Sequence, residues 1–195
     1  MSTPSPTVAP AEGRLGVLTV GLGAVASTLI AGVELAKRGL GAPIGSLAQM
    51  DTIRLGKRTD NRNPMIKDFV PLARLEDIVW GAWDPFPDDA YVAATRAGVL
   101  ESGKHLEAIS DTLREIRPMK AAFERNYVKN IDADNIMGKI SKREMLNAIR
   151  ADINKFRDEK KVDRVVMIWC ASTEIFIEPG PVSYTHLTLP TIYSV

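Results

Sequence analysis

With 195 residues, 45% hydrophobic and 25% charged, the chain has the ordinary composition of a globular protein large enough to bury a sizeable core. Its 25 basic and 24 acidic side chains leave a net charge of +1, too little to draw a polyanion, so neither nucleic acid nor a membrane surface is expected as principal partner. The lone cysteine, Cys170, excludes an internal disulfide and fits a reducing compartment such as the cytoplasm.

Residues 1–13 are rich in Pro, Ser, Thr and Ala and read as a disordered lead-in. The run from Leu15 to Thr28 then predicts a strand over Leu15 to Val20 that breaks at Gly21-Leu22-Gly23 and resumes as a helix. A glycine at 21 permits a tight turn, and one at 23 lets backbone approach a pyrophosphate without a Cβ in the way. Ala26 takes the third position of a G-x-G-x-x-A fingerprint. There a small side chain lets the helix pack on the strand, and the helix N-terminus offers N–H groups and a positive dipole end to phosphates. Other readings compete: Leu15 to Val33 carries no charge, long enough for a membrane span or a signal segment, and a plain buried strand and helix would look alike. Interspersed Gly, Thr and Ser, with Glu12 and Arg14 in place of a basic leader, favour the nucleotide turn.

The helix is predicted over Ala24 to Arg38, with Leu29, Ile30, Val33 and Leu35 toward the core and Gly39 at its end. From 39 to about 75, glycines and prolines recur too often for a long helix, so an ordered loop with short pieces of structure is expected. Its cations Arg54, Lys57, Arg58, Arg62 and Lys67 suit phosphate; the interleaved Asp51, Asp60 and Asp68 equally suit a solvated or subunit-contacting loop.

A second strand, about Asp77 to Trp83, leads to Asp84 and then a helix from about Ala90 to Ala97. Ligands bind at the carboxyl edge of open α/β sheets, where a carboxylate can accept hydrogen bonds from ribose hydroxyls; the usual one lies about 20 residues past the glycines. Asp84 follows Gly23 by 61, a delay that the 39–75 insertion explains.

Residues 104–116 and 119–129 are predicted helical, separated by Pro118. Ser141-Lys142-Arg143-Glu144 is a capping box opening a helix to about Glu159, with Met145, Leu146, Ile149, Ile153 and Phe156 as its core stripe. Arg164 to Trp169 reads as a strand of the kind buried on both faces of a parallel sheet. Alternating strands and helices give an α/β fold. After the last strand, Cys170-Ala171-Ser172-Thr173 can line a cofactor pocket or form an ordinary polar loop; the Cys170 thiol reads as a small buried hydrophobe rather than a nucleophile. His105 reads as a surface residue, His186 carries no weight as ligand or base, and no metal-ligand spacing, nucleophile triad or second phosphate loop is visible.

The turn Gly21–Ala26, the loop from Gly41-Ala42-Pro43-Ile44-Gly45 through Ile53-Arg54-Leu55-Gly56-Lys57-Arg58-Thr59-Asp60, the block Gly81-Ala82-Trp83-Asp84 and the stretch Trp169 to Glu174, in that order, together resemble the N-terminal part of the inositol-3-phosphate synthase family, in its bacterial branch. The likeness spans about 14–178. It implies a Rossmann-like NAD-binding domain, and an isomerase that converts glucose 6-phosphate to inositol 3-phosphate by transient oxidation at C5, enolisation, intramolecular aldol closure and return of the hydride.

By resemblance the cofactor contacts fall on Gly21, Gly23, Ala24 and Val25, on Asp84, and on Cys170, Ala171, Ser172 and Thr173. Many family members have a turn one residue longer with two asparagines where this chain has Ala24-Val25-Ala26. The resemblance places the catalytic lysines, and the surfaces of a homotetramer, in a region beyond this chain. The organisation expected is therefore a lead-in (1–13), an incomplete NAD-binding domain (14–181), and a tail (182–195) of abruptly different composition that looks like translated sequencing adaptor. The alternatives are an NAD-binding module without chemistry and the cofactor domain of a simple dehydrogenase.

Overall fold

The computed structural model describes residues 12–123 and 131–171. The lead-in up to residue 11, the end of the 119–129 segment, Ser172, Thr173, His186 and the 182–195 tail lie outside them. Four strands form one parallel sheet in the order β3-β2-β1-β4: β1 (Leu15–Val20), β2 (Ile78–Asp84), β3 (Met119–Lys120) and β4 (Arg164–Trp169). β1 is central, pairing Leu15 with Ile78 on one side and with Arg164 on the other. The α/β reading with a parallel sheet holds.

Side chains alternate across a strand, so β1 and β2 serve two cores. Val17, Trp80 and Ala82 join α1 (Ala24–Lys37), α4 (Ala90–Ala97) and α5 (Ser110–Glu115) on one face, where Ile30, Leu106, Ile109 and Leu113 are fully buried. Leu18 and Trp83 join Phe156 of α6 (Lys142–Lys160) and Val162 on the other. Phe156 lies in a notch that only glycine can make: a Cβ on Gly16 would stand 2.6 Å from its ring, and one on Gly81 2.8 Å. Burying that ring stabilises by about 1.5–3 kcal/mol, which gives Gly81 a packing reason. Trp83, two residues on and hence on the same face, donates from Nε1 to Asp152 of α6 at 2.9 Å.

On the opposite face Glu34 of α1 is buried, its carboxylate accepting from Trp80 Nε1 (2.8 Å) and Lys37 Nζ (2.6 Å), while Lys37 also donates to the Ile78 carbonyl (2.8 Å). A buried carboxylate needs such partners, and these fix the rotation of α1 against β2.

The capping box stands as predicted: the Glu144 N–H donates to Ser141 Oγ (3.2 Å) and the Ser141 N–H to Glu144 Oε2 (2.7 Å). The Ser141 hydroxyl, donating to Glu144 Oε2 at 2.7 Å, and then the Ser141 N–H hold the Glu144 carboxyl below its usual range. The 39–75 stretch is ordered in short pieces, α2 (Leu47–Met50), α3 (Ile66–Phe69) and a bridge between Thr52 and Met65, with no buried residue between 39 and 75. It leaves from the end of α1 and returns to the start of β2, at the sheet edge opposite the glycine turn.

Five expectations are corrected. After Pro118 comes β3, not a helix: Met119 and Lys120 pair with Trp83 and Asp84, whose backbone groups would otherwise lack a neighbour at the sheet edge. Residues 104–116 are broken into a π turn (Ser102–Leu106), a 3₁₀ turn (Glu107–Ile109) and α5. β4 is not buried on both faces: among the described residues it stands last in the strand order, and Val166 and Met167, which point to opposite faces, are both exposed, with Trp169 71% exposed. Of the α6 stripe only Phe156 is buried; Ile149 and Ile153 pack partly, and Leu146 is 55% exposed. Leu29 of α1 is likewise exposed. Among the described residues no helix is long and apolar enough to cross a membrane.

Candidate functional site

The glycine turn sits at the carboxyl edge of the sheet, between the ends of β2 and β4. Gly21 must be glycine twice over. Its φ is +96°, and a Cβ there would stand 2.8 Å from the Cα and N of Ala171. The Gly21 N–H donates to the Trp83 carbonyl and the Cys170 N–H to the Val20 carbonyl, both at 2.8 Å, so the turn is stitched to the strand on either side.

Gly23 is different. It is exposed, its backbone is extended (φ −78°), and a Cβ would meet nothing within 4 Å. It stands at the N-cap of α1 with no side-chain cap, and no acidic residue occupies the first turn. Because the first helical bond runs from the Ser27 N–H to the Gly23 carbonyl (3.0 Å), the N–H groups of Ala24, Val25 and Ala26 have no intrahelical acceptor. Ala24 is exposed and Val25 is 68% exposed. The structure thus leaves an open, uncapped helix N-terminus where close approach is unobstructed, and an anion fits it.

Asp84, at the end of β2, braces the turn. Its Oδ2 accepts from the Leu22 N–H at 2.6 Å and its Oδ1 from the Phe86 N–H at 2.9 Å. The separation that looked long in sequence is closed in space by one hydrogen bond, from Leu22, the residue before Gly23. Each carboxylate oxygen has a second lone pair, so the group can still accept from a ligand hydroxyl. Cys170 and Ala171 close the other flank, within reach of the turn through the Gly21 approach. Burial alone pushes the Cys170 thiol up, which disfavours a thiolate nucleophile.

Sequence reasoning missed Asn135. Its Nδ2 donates to the carbonyls of Asp84 (2.8 Å) and Met119 (3.1 Å), with Pro118 at the margin (3.5 Å). An asparagine outside any apolar period carries no sequence signal, and its partners are backbone atoms. His105 proves half-buried in the π turn rather than plainly on the surface. The basic side chains of the 39–75 arm lie on a segment that departs from the opposite sheet edge, and the hydrogen bonds and ion pairs of the described residues do not join them to the turn. Lys120 does stand at the carboxyl edge, paired in register with Asp84. Among the described residues no three His, Cys, Asp or Glu side chains group to hold a metal ion.

Comparison with known proteins bears on the family and the fold. The family described as Myo-inositol-1-phosphate synthase, an NAD-binding domain, matches residues 15–190, a range that reaches into the 182–195 stretch. The chain is 45% identical over 186 residues to inositol-3-phosphate synthase 1 of Bacteroides thetaiotaomicron, covering 95% of this chain and 42% of that protein. It is 33% identical to the inositol-3-phosphate synthase of Candida glabrata, covering 86% and 36%. It superposes on the crystal structure of inositol-3-phosphate synthase from Caenorhabditis elegans with a TM-score of 0.72 and 27% identity, over 83% of this chain and 35% of that one. The chain thus spans about two fifths or less of the length of these relatives. It belongs to the myo-inositol-1-phosphate synthase family, and corresponds to the NAD-binding part.

Proposed function

We propose that the chain is the cofactor-holding part of an isomerase converting glucose 6-phosphate to inositol 3-phosphate in the cytoplasm, and that its carboxyl edge binds NAD. The observation that carries the reading is the uncapped N-terminus of α1, open at Gly23 and braced through Leu22 by Asp84. Gly21 fixes the turn, and the N–H groups at Gly23, Ala24 and Val25 hold a pyrophosphate. Asp84 accepts from a ribose hydroxyl. Cys170 and Ala171 flank the pocket with small side chains; the resemblance adds Ser172 and Thr173 to the cofactor contacts, and these two lie outside the described residues. When bound, the dinucleotide supplies reversible hydride acceptance, so the overall conversion is redox-neutral.

This chain's own contribution is binding and orientation. Enolisation and ring closure need cations where negative charge develops. Lys37 is occupied by Glu34 and the Ile78 carbonyl at the far edge, and Lys57 and Lys67 belong to the arm. The resemblance puts the catalytic lysines and the homotetramer contacts outside this chain. The test has two parts: NAD titrated into the purified chain, and inositol phosphate formation from glucose 6-phosphate assayed for the chain and for the product of the reading frame extended beyond residue 195. Saturable NAD binding, no turnover by the chain and turnover by the longer product are expected. Turnover by the chain alone would refute the division of labour, and inactivity of the longer product would refute the isomerase assignment.

A further inference from the structure

β2 and β3 are held together by only two register pairs, Trp83 with Met119 and Asp84 with Lys120. Pro118 has no N–H and cannot extend the ladder toward the amino edge. The join at the carboxyl edge, where the candidate site lies, is made instead by the segment around Asn135. Its N–H donates to the Pro85 carbonyl (3.0 Å), its carbonyl accepts from the Ala121 N–H (2.9 Å), and the Met137 N–H returns to the Ala121 carbonyl (3.0 Å). Its side-chain amide has two protons, and they meet the carbonyls of Asp84 and Met119.

We infer that Asn135 is a positioning residue: by tying the backbone at Asp84 to β3, it fixes the Asp84 carboxylate that braces the Leu22 N–H of the cofactor turn. The inference rests on the NAD-binding reading for its consequence, though not for its geometry. Every link in the chain of contacts is a hydrogen bond: Asn135 Nδ2 to the Asp84 carbonyl at 2.8 Å, and Leu22 N–H to Asp84 Oδ2 at 2.6 Å. A carbonyl stripped of its donor at a half-buried strand end lets β2 fray from its last residue, and Asp84 is that residue. Asparagine suits the place because its amide is short, planar and neutral; aspartate would set a carboxylate against two carbonyl oxygens.

A residue that merely stabilises the fold and one that acts through Asp84 differ in a double-mutant cycle. NAD affinity is measured by calorimetry for the unsubstituted chain, Asn135→Ala, Asp84→Ala and the double variant. Asn135→Ala is expected to raise the dissociation constant about tenfold in the unsubstituted background and less than about twofold once Asp84 is gone. Equal losses in both backgrounds, or no loss in the first, overturn the inference. A second readout needs no cofactor. Amide exchange at Leu22 is expected to quicken about tenfold in Asn135→Ala while that of Leu18, in the core of β1, does not change; parallel quickening at both amides, or none at Leu22, overturns it. If the unsubstituted chain does not bind NAD, the reading of the turn has failed and the exchange result alone decides the role of Asn135. Should Asn135→Ala not fold, Asn135→Gln, which keeps both donors on a longer stem, is measured the same way with smaller changes expected.

Discussion

The two glycines of the turn separate architecture from binding, and Gly23→Val exploits the difference. At position 23 the backbone is extended, the site is exposed, and an added Cβ meets nothing within 4 Å, so valine fits the folded chain without strain. Replacing glycine lowers the entropy of the unfolded chain, a gain of about 0.4–1 kcal/mol, against the loss of a preferred N-cap residue, roughly 0.5–1 kcal/mol. The two nearly cancel, so stability should change by less than about 1 kcal/mol. Binding should not survive: two branched methyl groups at the mouth of α1 occupy the space through which a pyrophosphate reaches the Ala24 and Val25 N–H groups. Losing two hydrogen bonds to a charged group at about 1.5–3 kcal/mol each raises the NAD dissociation constant by at least a hundredfold. Calorimetric titration, with thermal unfolding as the control, measures both numbers. Equal NAD affinity in a folded Gly23→Val chain would refute the placement of the pyrophosphate at this turn.

Gly21→Ala should do the opposite, destabilising the chain by about 2 kcal/mol or more through its φ of +96° and the 2.8 Å approach to Ala171, as read from denaturant midpoints; a chain of unchanged stability contradicts that account. Asp84→Ala should weaken NAD about ten- to a hundredfold, and an unchanged dissociation constant would leave Asp84 with the turn alone. Ser141→Ala removes the cap of α6 and should cost about 1 kcal/mol. Because the capping box holds the Glu144 carboxyl low, its contribution is fully present at neutral pH and lost as pH falls through that lowered folded-state value, so the gap between the two chains in urea should narrow in acid; a gap independent of pH would show that Glu144 takes no part.

β1 and α1 were legible because each joins an apolar period to a punctuating glycine, Gly21 or Gly39, and β2 and α4 because apolar runs stand on either side of the stretch that begins at Asp84; the cap of α4, Asp89 accepting from the Val92 N–H, is seen only in the structure. Asp84 was legible because its motif places a carboxylate at a strand end. What failed to show has physical causes. β3 is two residues long after a proline, too short for any period. β4 has the composition of a central strand, and whether a strand has a neighbour on each side is a property of the sheet, not of its six residues. Glu34 and Asn135 carry no signal in the sequence, since the indole of Trp80 that buries the one and the carbonyls that bind the other come from strands far away in sequence.

β1 ends at Val20 with a tryptophan on each side: Trp83 of β2 and Trp169 of β4 are both its register partners. Trp83 is enclosed and hydrogen-bonded, whereas Trp169 faces solvent. The sheet therefore carries its own fluorophores of two kinds, a shielded kind, Trp80 and Trp83, emitting at short wavelength and an open one, Trp169, emitting at long wavelength. Whatever comes to lie over the carboxyl edge, a dinucleotide or a further strand, changes the second before the first, and the spectrum of the unlabelled protein distinguishes a covered edge from an unfolded one.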